Sequence, residues 1–293
     1  MDPKMIYEQW LNDPFIDEAT KKELEGIKGN DKEIEDRFYM DLEFGTAGLR
    51  GVLGAGINRM NNYTVAKATQ GLADYINTYF ETPEGKADTH EKSVAIACDS
   101  RHFSKEFSRL TALVLNANGI KAYIFTDMRP TPELSFAIRY LNCIAGVNIT
   151  ASHNPAEYNG YKAYWSDGAQ ITPPHDAGIM EYVKKVDVVP GREHSPKILD
   201  KETELFVNID KEVDEAYLKV VLDQIKAPEA IAKAADSLKI VYTPLHGAGI
   251  TIVPEVLKRA GFTNVMVVKE QAVPDGSFPT VDYPNPESAA AFA

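Results

Sequence analysis

The sequence predicts an α/β fold of mixed, mainly parallel sheets flanked by helices, with one complete domain and a truncated second domain of similar build. Between residues 93 and 149, short apolar strands alternate with amphipathic helices, which is the pattern of βαβ units. From residue 238 the same order of strand, loop, helix, glycine and strand returns. We therefore place the first domain at residues 1–205 and the second at residues 206–293.

The first 40 residues are helical in character. Asp17 precedes a helix for which Gly26 is a plausible C-terminal cap, and a second helix is expected at about residues 30–40. The glycine-rich residues 44–56 predict a strand and a loop. Asn62 is expected to cap a third helix, in which apolar residues recur every three or four positions.

The remaining elements follow in alternation. The predicted strands are residues 93–98, 121–125, 143–149, 238–242 and 264–268, and the predicted helices run from the cap Ser104 to Gly119 and over about 133–141, 212–226 and 251–260. Ligands of such sheets bind outside the carboxyl ends of the strands. The loops that begin at Asp99, Asp127 and Thr150 are therefore where we expect a site.

Composition excludes several classes of protein. The 293 residues carry a net charge of −12, which argues against partners such as nucleic acid or an anionic membrane. No run approaches the ~18 apolar residues of a membrane helix, and the polar start lacks the features of a signal peptide. Cys98 and Cys143 lie in apolar runs and predict buried core thiols rather than a disulfide or metal pair. We expect a cytoplasmic protein.

Residues 150–155, Thr-Ala-Ser-His-Asn-Pro, place a serine in a polar turn at a strand end. Such a serine could act as a nucleophile once activated, and the alternative is an ordinary turn. The sequence contains no G-x-S-x-G elbow and no phosphate-binding loop ending in Lys-Ser or Lys-Thr. Despite the negative net charge, the strand-end loops are rich in basic residues, which makes a positive pocket plausible: Arg50, Arg101, His102, Arg129, His153 and Lys162.

Residues 150–155 resemble the phosphoserine signature of the α-D-phosphohexomutase superfamily. Further segments are similar to motifs of that family and occur in the family order: residues 44–51, 99–101, 130–134, 159–170, 274–280 and 285–287. The segment 161–170 is most similar to the phosphoglucomutase and phosphopentomutase branch. The resemblance implies reversible phosphoryl movement between the C1 and C6 (or C5) oxygens of a sugar phosphate, through a bisphosphorylated intermediate.

The resemblance also implies roles for individual residues. Ser152 would carry the phosphoryl group, and Lys162 would act as general acid and base. Arg50 and His153 would steady the transferring group. Four further residues are expected to bind substrate or phosphate, although a solvated surface charge remains the alternative for Arg129: Arg101, Thr150, Asn154 and Arg129. For His246, a place near the site and a structural role are both open.

The resemblance implies Mg²⁺ as cofactor and glucose 1,6-bisphosphate as activator and intermediate. A phosphoserine oxygen of Ser152 would be one metal ligand. The family's acidic metal loop, of the D-x-D-x-D-R kind, is absent from this chain. We therefore expect an amino-terminal part of a phosphoglucomutase, inactive alone. Phosphopentomutase or phosphomannomutase are alternatives, and so is a non-catalytic module that binds sugar phosphates.

Overall fold

The structure, a computed structural model, describes residues 2–45 and 48–292. The chain opens with three helices, α1 (Pro3–Asn12), α2 (Glu18–Gly26) and α3 (Asp31–Phe38). Their buried side chains form a small core of their own, in which Trp10 packs edge-on against Phe38. The helical character predicted for the first 40 residues is confirmed.

A six-stranded sheet forms the centre of the first domain. Its strands are β1 (Gly48–Val52), β2 (Glu91–Cys98), β3 (Lys121–Phe125), β4 (Cys143–Ile149), β5 (Tyr158–Trp165) and β6 (Phe206–Ile209). Their spatial order is β1-β5-β4-β2-β3-β6, and β5 pairs antiparallel with both of its neighbours. The other pairings, β2 with β3, β2 with β4 and β3 with β6, are parallel. The predicted mixed, mainly parallel sheet is confirmed.

Helices cover both faces of this sheet. Three helices pack on one face, namely α4 (Asn62–Tyr79), α6 (Ser104–Ala117) and α8 (His175–Lys185), while the short α5 (Pro83–Ala87) lies in the connection before β2. The other face carries α7 (Thr131–Tyr140) and α9 (Lys211–Leu222). Cys98 and Cys143 are buried free thiols in these two cores, as predicted.

The second domain begins again with a parallel pair of strands, β7 (Ile240–Tyr242) and β8 (Val265–Val267). The helices beside it are α10 (Pro228–Ala234), α11 (Val253–Arg259) and α12 (Lys269–Ala272), and two short 3-10 helices span Ala248–Thr251 and Ala289–Phe292. Gly261 ends α11 with a φ of +105°, as Gly119 follows α6 with a φ of +70°. The predicted repetition of the strand, helix, glycine and strand order is therefore present.

Strand β6 bears on the division of the chain. Its four residues lie in the segment assigned to the second domain, yet they pair with β3 of the first sheet, Ala122 opposite Phe206. The strand is thus a structural part of the first domain. The division at residues 205 and 206 otherwise stays a prediction.

Two predicted helix caps differ from the structure. Asn61, not Asn62, caps α4, because its side chain accepts from the amides of Tyr63 and Thr64. Ser104 is the first residue of α6 rather than its cap, and Phe103 precedes it in the left-handed region. The Ser104 hydroxyl instead donates to Asp99 Oδ1 at 2.8 Å, which ties the helix to the loop after β2.

Candidate active site

A row of residues crosses the sheet where β2 and β4 end. The Asp99 amide donates to Ile149 O, the Thr150 amide donates to Gly160 O at 3.0 Å, and Gly160 stands opposite Arg50. Residues directly opposite on paired strands point to the same face. Asp99, Thr150 and Arg50 therefore share one face at the carboxyl end of the parallel strands, as expected.

Ser152 lies two residues beyond this row and is exposed. Its φ of 56° is in the left-handed region, which is uncommon for residues other than glycine and often marks a functional turn. Its amide donates to Thr150 Oγ1 at 3.0 Å, and the Asn154 amide donates to Ala151 O at 3.1 Å. Both hydrogen bonds are made within the turn, and Ser152 itself is exposed. Thr150, predicted to bind phosphate, acts here by positioning Ser152.

Arg101 stabilises the turn at residues 150–155 through hydrogen bonds to its backbone. Its Nη1 donates to the carbonyls of Pro155 (2.8 Å) and Tyr158 (3.0 Å), and its Nη2 to those of Ser152 (3.0 Å) and Asn154 (2.5 Å). The fifth donor, Nε, faces Asp99 Oδ2 at 3.4 Å. The role of Arg101 as a phosphate ligand stays a prediction. In this structure its two Nη atoms donate to the loop backbone, and the residue is only 3% exposed.

Asp99 is the carboxylate that borders the serine loop, and sequence reasoning did not assign it a role. Burial raises the pKa of Asp99, while hydrogen bonds from Thr150, the Arg101 amide and Ser104 oppose that rise. Its position directly after a buried strand was the signal that could have identified it. Asp99 links the start of α6 to the serine loop.

Arg50 on β1 and Lys162 on β5 project from the same face of the sheet. Lys162 stands opposite Gly48 on β1, two residues before Arg50, so the two side chains project to the same side. Arg50 is exposed, and its Nη1 donates to Asn154 Oδ1 at 3.3 Å. Burial and then the charge of Arg50 lower the pKa of the half-buried Lys162, against a raising effect of Asp99. The structure therefore brings Arg50, Asn154 and Lys162 to the serine loop.

Arg129, for which phosphate binding stays a prediction, is engaged in an ion pair. Its Nε and Nη2 donate to the two carboxylate oxygens of Asp214 on α9 at 2.8 and 2.9 Å, and Nη1 donates to Met128 O. Beneath it, burial and the neighbouring Asp214 raise the pKa of the fully buried Glu133 above its usual range. Arg129 thus forms an ion pair between the loop after β3 and α9, and it also lines the cavity that Ser152 borders.

A cavity of about 410 Å³ separates the serine loop from the second domain. Ser152, the exposed His153 and Thr150 line one side. The loop after β7, Tyr242 to Ala248, forms the other side. The site is therefore a cleft between two domains, with the candidate phosphate carrier on its wall.

His246 has a structural role. Its Nδ1 donates to Val273 O at 2.8 Å, which leaves Nε2 to accept from Thr280 Oγ1 at 2.9 Å. With 2% exposure it lies beneath the cleft wall rather than in the cleft. His102 is exposed and contacts Ser277 Oγ of the second domain through Nε2 at 2.9 Å.

The predicted Mg²⁺ site requires several oxygen ligands from side chains near Ser152. Among residues 2–45 and 48–292 there is no group of three or more His, Cys, Asp or Glu side chains that could hold a metal ion. Mg²⁺ prefers six oxygen ligands. Asp99 borders the serine loop, and its Oδ1 already accepts from the Arg101 amide and Ser104. The described residues alone do not fit a magnesium site. Thr46 and Ala47, in the motif at residues 44–51, lie outside the described residues.

Comparison with known families agrees with this domain arrangement. The family model "Phosphoglucomutase/phosphomannomutase, alpha/beta/alpha domain I" matches residues 41–189, and the model of domain II of the same family matches residues 215–293. Proteins of this kind consist of α/β/α domains, as observed here. The chain belongs to the phosphoglucomutase/phosphomannomutase family.

Relatives that are named for different activities are similar to this chain. A phosphoglucomutase from Staphylococcus epidermidis is 36% identical over 97% of this chain and 48% of its own length. A phosphopentomutase from Mus musculus is 35% identical over 98% of this chain and 46% of its own length. A family protein from Burkholderia thailandensis shares the fold, with a TM-score of 0.58 at 19% identity over 82% of this chain and 46% of its own. The chain spans about half the length of the curated relatives it matches.

Within the part of the chain that the structure describes, no helix is both long and apolar enough to cross a membrane.

Proposed function

We propose that the whole protein is a phosphoglucomutase, which moves a phosphoryl group between C1 and C6 of glucose phosphate by way of Ser152. The observation that carries the proposal is the serine turn. Ser152 is exposed, has a left-handed backbone and lies on a cleft wall, and Arg50 donates to Asn154 of the same turn. Family membership supports the reaction class.

The charges around Ser152 suit a phosphoryl carrier. A phosphoserine carries about −1.5 to −2 charges at pH 7. Phosphoryl transfer is catalysed mainly by positioning and by neutralising charge. Arg50 and His153 are exposed beside the turn, and Arg101 holds the turn's carbonyls. In our proposal Arg50 and His153 neutralise the group, while Arg101 and Thr150 position it.

Lys162 is the proposed general acid and base. In the forward step the P–Oγ bond of phosphoserine breaks and a bond forms from phosphorus to a sugar hydroxyl oxygen. The hydroxyl proton passes to neutral Lys162, and the departing Ser152 Oγ keeps the electron pair of the broken bond. In the return step that Oγ bonds to phosphorus of the other phosphoryl group, the bond from that phosphorus to the sugar oxygen breaks, and protonated Lys162 gives its proton to the released sugar oxygen. Because its pKa is lowered by burial and Arg50, more of Lys162 is neutral near pH 7 than of an ordinary lysine.

Magnesium and glucose 1,6-bisphosphate remain part of the proposal for the whole protein. Mg²⁺ would neutralise charge on the transferring group, with the phosphoserine oxygen at Ser152 as one ligand. A cytoplasmic location and sugar phosphates as partners belong to the same proposal.

The preferred sugar distinguishes the alternatives within the family. A similar protein named phosphopentomutase supports the first alternative. The family name, which includes phosphomannomutase, supports the second. Turnover of glucose 1-phosphate, ribose 1-phosphate and mannose 1-phosphate should be measured with the full-length protein. We expect the highest kcat/KM with glucose 1-phosphate, and a clear preference for another sugar would replace this assignment.

A non-catalytic module is the alternative from another class. We expect glucose 1,6-bisphosphate to add one phosphate to the full-length protein, visible by intact-mass spectrometry, and Ser152→Ala to abolish that increase. Ser100→Ala is the matched control, because Ser100 lines the same cleft. No phosphate on Ser152 under any condition would favour the non-catalytic reading.

We further propose that the 293-residue chain alone has negligible mutase activity, because the described residues do not supply a magnesium site. Sustained conversion of glucose 1-phosphate to glucose 6-phosphate by the purified chain would refute this point.

A further inference from the structure

Phe278 reaches from the second domain to the guanidinium that holds the serine loop. The Arg101 Cζ atom lies 5.2 Å from the centroid of the Phe278 ring. The ring is buried, with 7% of the residue exposed, and it also lines the cleft beside Ser152. The backbone of Phe278 has a φ of 49°, in the left-handed region. A residue is held there only when its surroundings define it well.

The segment around Phe278 sits directly on the loop after β2. A Cβ added at Gly276 would lie 2.6 Å from the His102 amide nitrogen and 2.9 Å from Ser100 O, closer than real side chains come. Only glycine allows this approach without a shift of backbone. The bond between His102 Nε2 and Ser277 Oγ, at 2.9 Å, closes the same contact.

His246 fixes the other side of this segment. Its two ring nitrogens bond to Val273 O and Thr280 Oγ1, before and after Phe278 in the chain. The Ser277 amide donates to Asp275 Oδ1 at 2.8 Å. The segment is therefore tied at both ends to its own domain, while its middle packs on the first domain.

We propose that Phe278 is a positioning residue, which holds Arg101 flat beneath the serine loop and so makes the order of residues 150–155 depend on the second domain. An aromatic face attracts a guanidinium and favours one plane for it. Arg101 needs that plane, because its two Nη atoms donate to four carbonyls of the loop region at once. The inference rests on the proposed function only in taking Ser152 as the phosphate carrier.

Hydrogen exchange of the serine loop tests this inference without mutase turnover. Phe278→Leu keeps an apolar side chain but removes the aromatic face. We expect exchange of the amides of Ser152 and Asn154 to become about tenfold faster in that variant. Phe278→Tyr keeps the ring and should retain the wild-type rates. Phe262→Leu, in the second domain after α11, is the matched control and should also leave them unchanged.

Gly276→Ala supplies a second test in which the aromatic ring stays. The added methyl group would push the segment off His102 and Ser100, and we expect the same local increase in exchange. Unchanged loop exchange in both Phe278→Leu and Gly276→Ala would overturn the inference. So would an equal increase in β7 and β8, which means general loosening of the second domain, or a failure of Phe278→Tyr to restore the rates.

The phosphate on Ser152 is measured separately, by intact mass. Loop exchange that responds as expected in a chain that never takes up phosphate would support the positioning role of Phe278 and count against the proposed function. The reverse result would overturn the positioning role and leave the proposed function in place.

Discussion

At the scale of single residues, the chemistry beside Ser152 depends on how closely one cation lies to another. Lys162 has a lowered pKa because it is half-buried and because Arg50 projects from the neighbouring strand. A positively charged neighbour favours the neutral form of an amine. The exposed Arg50 thus has two effects, a hydrogen bond to Asn154 and an electrostatic effect on Lys162.

Arg50→Gln should raise the pKa of Lys162 towards its ordinary value, because one of the two causes that lower it is removed. Titration of the Lys162 amine, by nitrogen-15 NMR or by the pH dependence of its acetylation, measures this. Arg109→Gln is the control, since Arg109 is exposed on α6 and pairs with Glu202. A Lys162 pKa that is the same in Arg50→Gln and wild type would contradict the electrostatic account.

At the scale of elements, glycines and caps decide how closely the strands and helices of the site approach. A Cβ at Gly160 would lie 2.6 Å from Thr150 O and 2.9 Å from Leu49 O, so β5 can run between β4 and β1 only with glycine there. The entry to α4 is fixed by Asn61, which accepts from two amides and donates to Gly54 O and Gly56 O.

Asn61→Ala should destabilise the chain by about 1–2 kcal/mol, because the cap of α4 and its bonds to the preceding loop are lost together. Asn62→Ala, one residue later and already inside the helix, should change stability by less than about 0.5 kcal/mol. Urea denaturation of both variants measures the difference. Equal destabilisation by the two substitutions would show that Asn61 has no special role as a cap.

At the scale of the whole molecule, α9 joins the two domains. Asp214 forms the bidentate ion pair with the buried Arg129 of the first domain. The next residue, Glu215, forms a bidentate pair with Arg259 of α11 in the second domain. Two adjacent residues of α9 therefore bind different domains. Asp214 pairs with a buried arginine and Glu215 with an exposed one.

Asp214→Asn should cost about 2 kcal/mol, because the buried Arg129 loses its bidentate partner and keeps only the longer contacts to Asp210 (3.4 Å) and Glu133 (3.9 Å). Glu215→Gln should cost far less, since both members of its pair are exposed to water. Thermal unfolding of the two variants at one pH gives the comparison. Near-equal losses would indicate that burial of Arg129 has little energetic weight.

The sequence alone predicted the strands β2, β3, β4, β7 and β8, the buried thiols and the serine turn at the end of β4. Among the elements that it did not predict are β5, β6 and α8. The strand β5 begins with a tyrosine, an asparagine and a glycine and follows the serine loop almost directly, so its pattern is weak. Its strand character comes from pairing with both β4 and β1, which no local pattern reveals.

The sequence by itself determined that a serine turn follows the buried strand β4, because an apolar run and the turn residues after it are local properties. Only the tertiary structure decided which partners the basic residues take. Arg101 and Arg129 both lie in strand-end loops, yet each turns inward to partners more than 50 residues away in the chain. A guanidinium binds whichever carbonyls or carboxylates the fold brings to it, and that depends on the packing of distant segments.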